Sequence, residues 1–587
     1  MTASNATHGP GGGPGRSRAQ RIGRALEVIG RTPAQRTARI AGGVVAAERP
    51  VRATARDTSR DGTRNRIEAA LLTGFRPFWR IVNRQPKLAR FFNGWIVNSA
   101  ALKVPARPLA LSTVADYTSW LSLTDHTWFA RYLPPRCAAE IPPLDDVAAL
   151  FKPGPDGPRL SKRSTLLFPC FAQWFTDGFM MTDGKDRKRT NSSHQIDLGQ
   201  LYGMTAEATA ALRLRSEAAG RKGRLKSVVD DRGEEWAPRL YDDAGTRNAD
   251  FAALPEPARL QPDWPADKKA TLFAFGGERA NTTPFTAAIN TLFLREHNRL
   301  CEKLEEAHPN DQEWDDERVF QTARNINIVQ LIKIVIEEYI NHISPYWFRL
   351  LGDPTPCYKA AWNRQNWVPV EFNLLYRWHS LVPEEASWGD VPVQMADMRH
   401  DNHLLSRDGL VVALESASRT KAWQIGLFNT ARFLQDAERA SIQQGRDNEL
   451  ASYNDYRDVM GYPRITEFEQ ISGEPCVVEG LRRVYGHVDR IEFFAGLFAE
   501  EPHPRSAVPA LIGRMVAADA FSHALTNPLL SPSVFGEARS REATFTAQGV
   551  RSIAGTSTLR DLLARNSLHG ARPLTVSMKQ DGVDAVA

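Results

Sequence analysis

The chain has 587 residues, of which 42% are hydrophobic and 24% charged, values that are ordinary for a globular protein of one or several domains. No run of about 18 apolar residues occurs and the first residues lack an apolar signal core, which argues against a membrane-spanning helix and against secretion. Five scattered cysteines with no Cys-x-x-Cys pair argue against a disulfide scaffold or a zinc site, and they favour a cytoplasmic protein.

Residues 1–66 form a basic tail for which we predict substantial disorder. They hold 13 arginines and no lysine against four acidic residues, so they carry +9 and leave −3 for the rest of a chain whose net charge is +6. Such a tail can keep a protein soluble, or bind anionic lipid or nucleic acid. It contains no aromatic residue on which bases could stack, so we expect no nucleic-acid partner.

Residues 67–105 mix aromatic and aliphatic residues with spaced arginines and lysines. Apolar residues recur at intervals of three and four, with breaks near Pro77 and Pro86, which predicts two or three short amphipathic helices. Two interpretations remain open. The helices can lie in a membrane interface and make the protein peripheral, or they can pack on the body of the protein.

Residues 106–575 are predicted to form one catalytic domain, followed by a tail at 576–587. Helical periodicity is clearest at 284–307 and 315–343, and it recurs at 371–382, 410–446 and 506–527. Convincing alternating strands are rare. The fold class is therefore predicted to be mainly α-helical.

The segment 371–379, with the sequence EFNLLYRWH, holds the most informative residues. Tyr376 and His379 are three apart, so on a helix they would share one face. Histidine is a common axial ligand of haem iron. A tyrosine beside the same haem can lose one electron and then take hydrogen from a carbon chain. The spacing by itself is more typical of core packing.

The motif Phe-Asn-x-x-Tyr-x-Trp-His in this segment resembles the proximal haem segment of cyclooxygenases and of fungal linoleate diol synthases. The resemblance implies a mainly α-helical haem peroxidase fold, of a bacterial type, with haem b held between helices. It assigns His379 as the ligand of the haem iron and Tyr376 as the radical-forming residue. Trp378 would contact the cofactor, and Phe372 and Leu375 would line the substrate channel.

Further motifs extend this resemblance over residues from about 90 to about 570. Residues 295–298 reproduce the Arg-Glu-His-Asn signature of animal-type haem peroxidases. Tyr346 falls where cyclooxygenases keep a tyrosine at the mouth of the fatty-acid channel. Ser522 matches their channel serine. Both are therefore expected to contact substrate.

The distal haem side departs from the family pattern Gln-x-x-x-His. Gln173 is in place, but Asp177 stands where the histidine is expected. A carboxylate can move a proton between peroxide oxygens if burial raises its pKa far enough. Arg279 matches a distal arginine of myeloperoxidase-like enzymes and could stabilise charge on the leaving oxygen. We therefore expect a weak peroxidase beside a retained oxygenase.

The partner of the fatty-acid carboxylate is left open by the sequence. Cyclooxygenases use an arginine at a position that is Ala101 here, which leaves Lys103 or Arg107 to bind a carboxylate beside Tyr346. We favour Arg107, because its planar guanidinium can bind both carboxylate oxygens. The glutamate of the same constriction is replaced by Val516.

Taken together, these residues predict a haem-dependent dioxygenase that makes a lipid hydroperoxide from an unsaturated fatty acid and O2. A peroxidase that oxidises small donors through Gln173, Asp177 and Arg279 is the first alternative. A haem- or lipid-binding protein without catalysis is the second. The sequence leaves open whether the protein is a monomer or a homodimer.

Overall fold

A computed structural model describes residues 70–102, 104–116, 119–136, 140–568 and 572–580. The basic tail at 1–66 and Lys103 lie outside the described residues. Within them the fold is mainly α-helical, as predicted, and no helix combines the length and apolar character needed to cross a bilayer.

Helical residues 70–74 open the described chain. The first ten helices that follow are α1 (Arg76–Arg84), α2 (Pro86–Ala101), α3 (Leu121–Thr124), α4 (Leu144–Ala149), α5 (Leu167–Asp177), α6 (Gly199–Tyr202), α7 (Ala206–Leu212), α8 (Ala266–Lys269), α9 (Pro284–Ala307) and α10 (Asp316–Ile334). A π-helical stretch, Val335–Ile340, continues α10 and leads into α11 (Asn341–Ile343).

The later helices are α12 (Val370–Leu375), α13 (His403–Arg419), α14 (Gln435–Asp447), α15 (Tyr453–Val459), α16 (Pro475–Tyr485), α17 (Phe493–Ala499), α18 (Ala510–Ala524), α19 (Ala538–Ala554) and α20 (Leu559–Asn566). The strands are β1 (Leu160–Thr165), β2 (Val228–Val229), β3 (Glu235–Trp236), β4 (Glu385–Trp388), β5 (Val391–Gln394) and β6 (Lys421–Trp423). They form three two-stranded antiparallel sheets, β1 with β6, β2 with β3 and β4 with β5.

The long helix α9 lies at the centre of the molecule. Thr283 caps its N-terminus by accepting a hydrogen bond from the Thr286 amide, and Pro284 occupies its first turn. Most of its side chains are buried on every face, as is typical of a helix surrounded by other elements. It packs against α5, α10, α13 and α20.

The described part of the segment 67–105 packs on the body and also exposes apolar side chains. Trp79 and Phe92 are buried and their rings meet edge to face, 5.1 Å between centroids. Helix α2 lies against α18. Phe75 and Phe91, in contrast, are 53% and 60% exposed. The two interpretations of this segment are therefore compatible.

Two predicted helical stretches are interrupted. Within the stretch 371–382, the α-helix ends at Leu375. The stretch 410–446 contains strand β6 between α13 and α14. Strand β6 forms because its backbone pairs with β1, with Leu160 opposite Trp423. The sequence pattern of 410–446 does not reveal a partner so distant in the chain.

Candidate active site

A cavity of about 480 Å³ lies between α5, the turn after α12, helix α14 and the loops before α9 and α13. Its volume is within the roughly 300–1,000 Å³ typical of small-molecule and cofactor sites. Five of the residues singled out from the sequence line it, namely Gln173, Arg279, Tyr376, Trp378 and His379. Residues more than 200 positions apart therefore meet at one site.

Tyr376 and His379 reach this cavity from a turn and not from one helical face. The Arg377 amide donates to the Leu374 carbonyl, three residues back, at 3.1 Å, which tightens the end of α12. A short 3₁₀ turn then begins at His379. The prediction of a continuous helix was wrong here, although its consequence, a shared site for Tyr376 and His379, is seen.

His379 has a buried carboxylate behind it. Its Nδ1 lies 3.2 Å from Oε2 of Glu438 on α14, and Glu438 is fully buried. The other oxygen of Glu438 accepts a hydrogen bond from the Thr430 hydroxyl at 2.8 Å, which fixes the carboxylate. The two atoms are within ion-pair distance but make no hydrogen bond with each other in the structure. A carboxylate at this place can orient the imidazole when Nε2 binds a metal, as is common for histidine ligands in metalloproteins. No local pattern in the sequence pointed to Glu438.

Tyr376 stands in an aromatic cluster. Its ring lies 5.0 Å from Phe372, 5.1 Å from Trp378 and 6.4 Å from Tyr339, measured between centroids. Its hydroxyl is buried, and burial raises the pKa of Tyr376 well above the ordinary value. The phenol is therefore held protonated. Tyr339, whose ring is nearly parallel to that of Tyr376, was missed because it looks like any core tyrosine in a helix.

The distal candidates separate into two groups. Gln173 and Arg279 line the cavity, and the Arg279 guanidinium pairs with Glu278 at 3.1 Å. Asp177 is fully buried beside Gly277, and its Oδ2 accepts the Arg279 amide proton at 3.0 Å. Burial raises the pKa of Asp177 to about 7. The side chain of Asp177 therefore lies behind the cavity wall and supports the segment that carries Arg279.

The predicted substrate-binding residues are only partly brought together. The side chain of Arg107 is fully buried and pairs with Asp519 on α18 at 2.5 Å, so its charge is neutralised within the protein. Asp519 was missed, although an aspartate in the apolar sequence of α18 is a visible signal. It lies three residues after Val516, which replaces the glutamate of the family. A carboxylate is therefore present one helical turn further along α18.

The other predicted channel residues are mostly enclosed in the core. The hydroxyl of Ser522 is buried and donates to the Asp519 carbonyl at 3.0 Å. Leu375 is fully buried, and Phe372 packs between Tyr376 and His523, whose ring is 5.9 Å away. Tyr346 is half-buried.

Comparison with known proteins identifies the family. The sequence profile of animal haem peroxidases matches residues 155–576. The chain belongs to the animal haem peroxidase family. It is thus a haem-binding oxidoreductase, as the resemblance implied. It is 30% identical to prostaglandin G/H synthase 2 of Oryctolagus cuniculus over 517 residues, which cover 84% of this chain and 80% of that protein. It is 31% identical to prostaglandin G/H synthase 1 of Rattus norvegicus, over 79% of this chain and 75% of that protein.

Solved structures show the same fold at lower sequence identity. Peroxidase A from Dictyostelium discoideum superimposes with a TM-score of 0.59 and 20% identity, covering 77% of this chain and 96% of that one. The fatty acid alpha-dioxygenase of Oryza sativa gives a TM-score of 0.60 and 16% identity, covering 77% and 84%. These likenesses establish the peroxidase–cyclooxygenase fold.

The residues of the cavity fit a haem group. His379 lines the cavity with the Glu438 carboxylate 3.2 Å from its Nδ1, and Trp378 and Gln173 supply flanking surfaces. An imidazole with a carboxylate near one ring nitrogen is suited to bind haem iron through the other.

Proposed function

We propose that this protein is a haem-dependent fatty-acid dioxygenase that converts an unsaturated fatty acid and O2 into a lipid hydroperoxide. The observation that carries the proposal is that Tyr376, with its buried hydroxyl, lines the same cavity as His379. The cyclooxygenase relatives support the reaction class, and haem b is the cofactor that we propose.

Bound haem supplies the one-electron oxidising power, and His379 holds its iron. Tyr376 loses an electron together with its phenolic proton. Its oxygen then takes a hydrogen atom from a carbon next to a double bond. O2 adds to the resulting carbon radical, and the peroxyl radical recovers a hydrogen atom from Tyr376, so that the sum is RH + O2 → ROOH.

The surroundings of Tyr376 suit this chemistry. The neighbouring rings of Phe372, Trp378 and Tyr339 shield the phenol from solvent and from dissolved reductants, which would otherwise reduce a tyrosyl radical. We propose that Phe372, Leu375 and Ser522 line the path of the acyl chain and that Tyr346 stands near its entrance. For the carboxylate we propose Arg107, whose Nε and Nη1 have no hydrogen-bond partner among the described residues.

Peroxidase activity toward small donors is the second candidate, favoured by the position of Arg279. Its guanidinium and the Gln173 amide are the distal polar groups that line the cavity. We propose a weak activity, because the carboxyl of Asp177 lies behind the wall and acts mainly by holding the Arg279 backbone.

Oxygen uptake by the haem-loaded protein tests the proposal. The protein is given C16 to C20 fatty acids, saturated and unsaturated, with a trace of peroxide, beside the variants Tyr376→Phe and Tyr462→Phe. Tyr462 lies beyond α15 and outside the cavity, so it controls for loss of a tyrosine. We expect uptake with an unsaturated acid that disappears only in Tyr376→Phe, while the Soret band stays unchanged.

One outcome of this experiment would contradict the proposal. If no fatty acid supports oxygen uptake, and peroxide-driven oxidation of guaiacol survives in Tyr376→Phe, the protein is a peroxidase that uses Arg279 and Gln173.

We also propose that α1 and α2 attach the protein to a membrane surface. Leu88 and Phe91 lie three residues apart on α2 and are 40% and 60% exposed. Arg84 and Lys87, at the junction of the two helices, are exposed as well. Apolar side chains flanked by cations are the pattern of a helix lying in the interface of an anionic bilayer.

Flotation with vesicles of phosphatidylcholine and phosphatidylglycerol tests this attachment. Deleting the segment would expose the core under Trp79 and Phe92, so the double variant Leu88→Ser/Phe91→Ser is used. Val228→Ser/Val229→Ser, on an exposed strand elsewhere, is the control. Reduced flotation of the first variant alone supports the attachment. Equal flotation of both variants with the wild type contradicts it.

A further inference from the structure

Five arginines from five different chain segments line the same cavity: Arg187, Arg259, Arg279, Arg377 and Arg399. The only acidic residues among the lining residues are Asp183 and Glu278. The described wall therefore carries three more positive charges than negative ones. Such an excess is costly in a partly enclosed site unless an anion neutralises it.

The hydrogen-bond partners of these arginines divide them into two groups. Arg279 pairs with Glu278, Arg187 donates to the Ala440 carbonyl, and Arg377 donates to the Asn373 side chain at 2.7 Å. The guanidinium groups of Arg259 and Arg399, in contrast, have no hydrogen-bond or ion-pair partner among the described residues. Two cations that line the cavity are thus without a partner among the described residues.

The positive charges of these arginines repel one another. Partial burial and the charges of Arg399 and Arg279 lower the pKa of Arg259, although its side chain also reaches solvent, and the charge of Asp436 opposes this effect. The cluster therefore repels itself in the absence of an anion.

We propose that Arg259 and Arg399 bind the two propionate groups of the haem, and that these carboxylates neutralise most of the excess charge. The two propionates would reduce the net charge of the cavity wall from +3 to +1. Both arginines stand on loops that line the cavity, and Arg259 is exposed to solvent, as the polar edge of a bound porphyrin would be. Arginine binds a carboxylate through two parallel hydrogen bonds, which also fixes the rotation of the ring.

This inference rests on haem binding at His379 and not on the fatty-acid reaction, so the two can fail separately. Iron-free protoporphyrin IX is the probe because it keeps the propionates and lacks the bond to His379. Its dimethyl ester has the same ring without the two charges. Both are titrated into the apoprotein in a mild detergent, and binding is followed by porphyrin fluorescence.

The variants are Arg259→Gln, Arg399→Gln and the pair together, with Arg539→Gln as the control. Arg539 is an exposed arginine of α19 and has no partner among the described residues. We expect the double variant to bind protoporphyrin IX at least about tenfold more weakly than the wild type, since charge-assisted hydrogen bonds are lost. Binding of the dimethyl ester should not change.

A second measurement keeps the test decisive if the affinity changes are small. Raising the salt concentration should weaken protoporphyrin IX binding to the wild type more than to the double variant, because exposed ion pairs are screened. The proposal is overturned if the variants bind acid and ester with the same loss, or if they bind the acid as well as the Arg539→Gln control does.

Discussion

At the scale of single residues, the site depends on side chains that control the orientation or the charge of a neighbouring side chain. Glu438 is the clearest example, since its Oε2 lies 3.2 Å from Nδ1 of His379. Removing such a carboxylate typically weakens metal binding or activity by about 10–100-fold. We expect Glu438→Gln to lower haem affinity within this range and to shift the Soret band. Haem titration of Glu438→Gln beside Asp447→Asn, an exposed position on the same helix, checks this.

The Arg107–Asp519 pair allows its structural role to be separated from a role in binding. Arg107→Leu leaves the fully buried Asp519 carboxylate without its cation, which typically costs about 3–5 kcal/mol in the free energy of unfolding. The double variant Arg107→Leu/Asp519→Leu removes both charges and should recover most of that loss. Urea denaturation measures both effects.

A different outcome for this pair would support binding of the fatty acid. If Arg107→Leu keeps its stability and raises the KM for the fatty acid with kcat unchanged, the guanidinium binds the substrate carboxylate and Asp519 is a minor partner.

Asp177 gives a prediction on pH. Its pKa is about 7 in the folded protein and ordinarily 3.8, because burial disfavours the charged form. Between these values the unfolded chain has lost the proton and the folded protein keeps it, so this group lowers stability as pH rises from 4 to 7. Asp177→Asn removes the titration. We expect the melting temperature of the variant, relative to the wild type, to increase from pH 5 to pH 8. A pH-independent difference would contradict this.

At the scale of elements, Glu296 joins three helices. From the centre of α9 its buried carboxylate accepts hydrogen bonds from Gln330 on α10 at 3.0 Å and from Arg565 on α20 at 2.9 Å. Arg299, on α9 itself, is a further donor. Although burial opposes ionisation, these partners lower the pKa of Glu296 to about 2.

Glu296→Gln should therefore destabilise the protein by about 3–5 kcal/mol at neutral pH, since two arginines lose their anion. The contribution of Glu296 is present above its ordinary pKa of 4.5 and is lost as pH falls toward 2. The difference in the free energy of unfolding between wild type and variant should shrink on acidification. Glu302→Gln, at an exposed position of α9, is the control, and a difference that does not change with pH would argue against the assignment.

Sequence patterns predicted those helices whose signals are local. Helix α9 has an apolar sequence with Thr283 and Pro284 at its start, and α10 begins after the capping residue Asp315. The end of α12 at Leu375 and the strand β6 depend on contacts made elsewhere in the chain. For the site, the Tyr-x-Trp-His motif was visible in the sequence. Glu438 and Asp519 were not assigned, because each acts on a residue that is distant in sequence.

At the scale of the whole molecule, the cavity is built from segments spread over most of the described chain. A ligand that touches all of them stabilises the folded protein by mass action, by about 2.7 kcal/mol at one hundred times its Kd. We expect haem to raise the melting temperature and to slow proteolysis of the loops around Arg259 and Arg399. Limited proteolysis of apoprotein and holoprotein measures this. Equal cleavage rates in apoprotein and holoprotein would mean that the loops around the cavity are already held in place without haem.

The π-helical stretch Val335–Ile340 has a consequence for evolution and for engineering. A π turn holds one residue more than an α turn, and here Asn341 donates its side-chain amide to the Ile336 and Glu337 carbonyls that the wider turn leaves open. Tyr339 lies on this stretch and faces Tyr376, with 6.4 Å between the ring centroids. Loss of a single codon in this stretch would restore a regular α-helix and rotate every later side chain by about 100°. Deletions in this stretch would therefore disrupt the contact between Tyr339 and Tyr376, whereas substitutions around it can be tolerated.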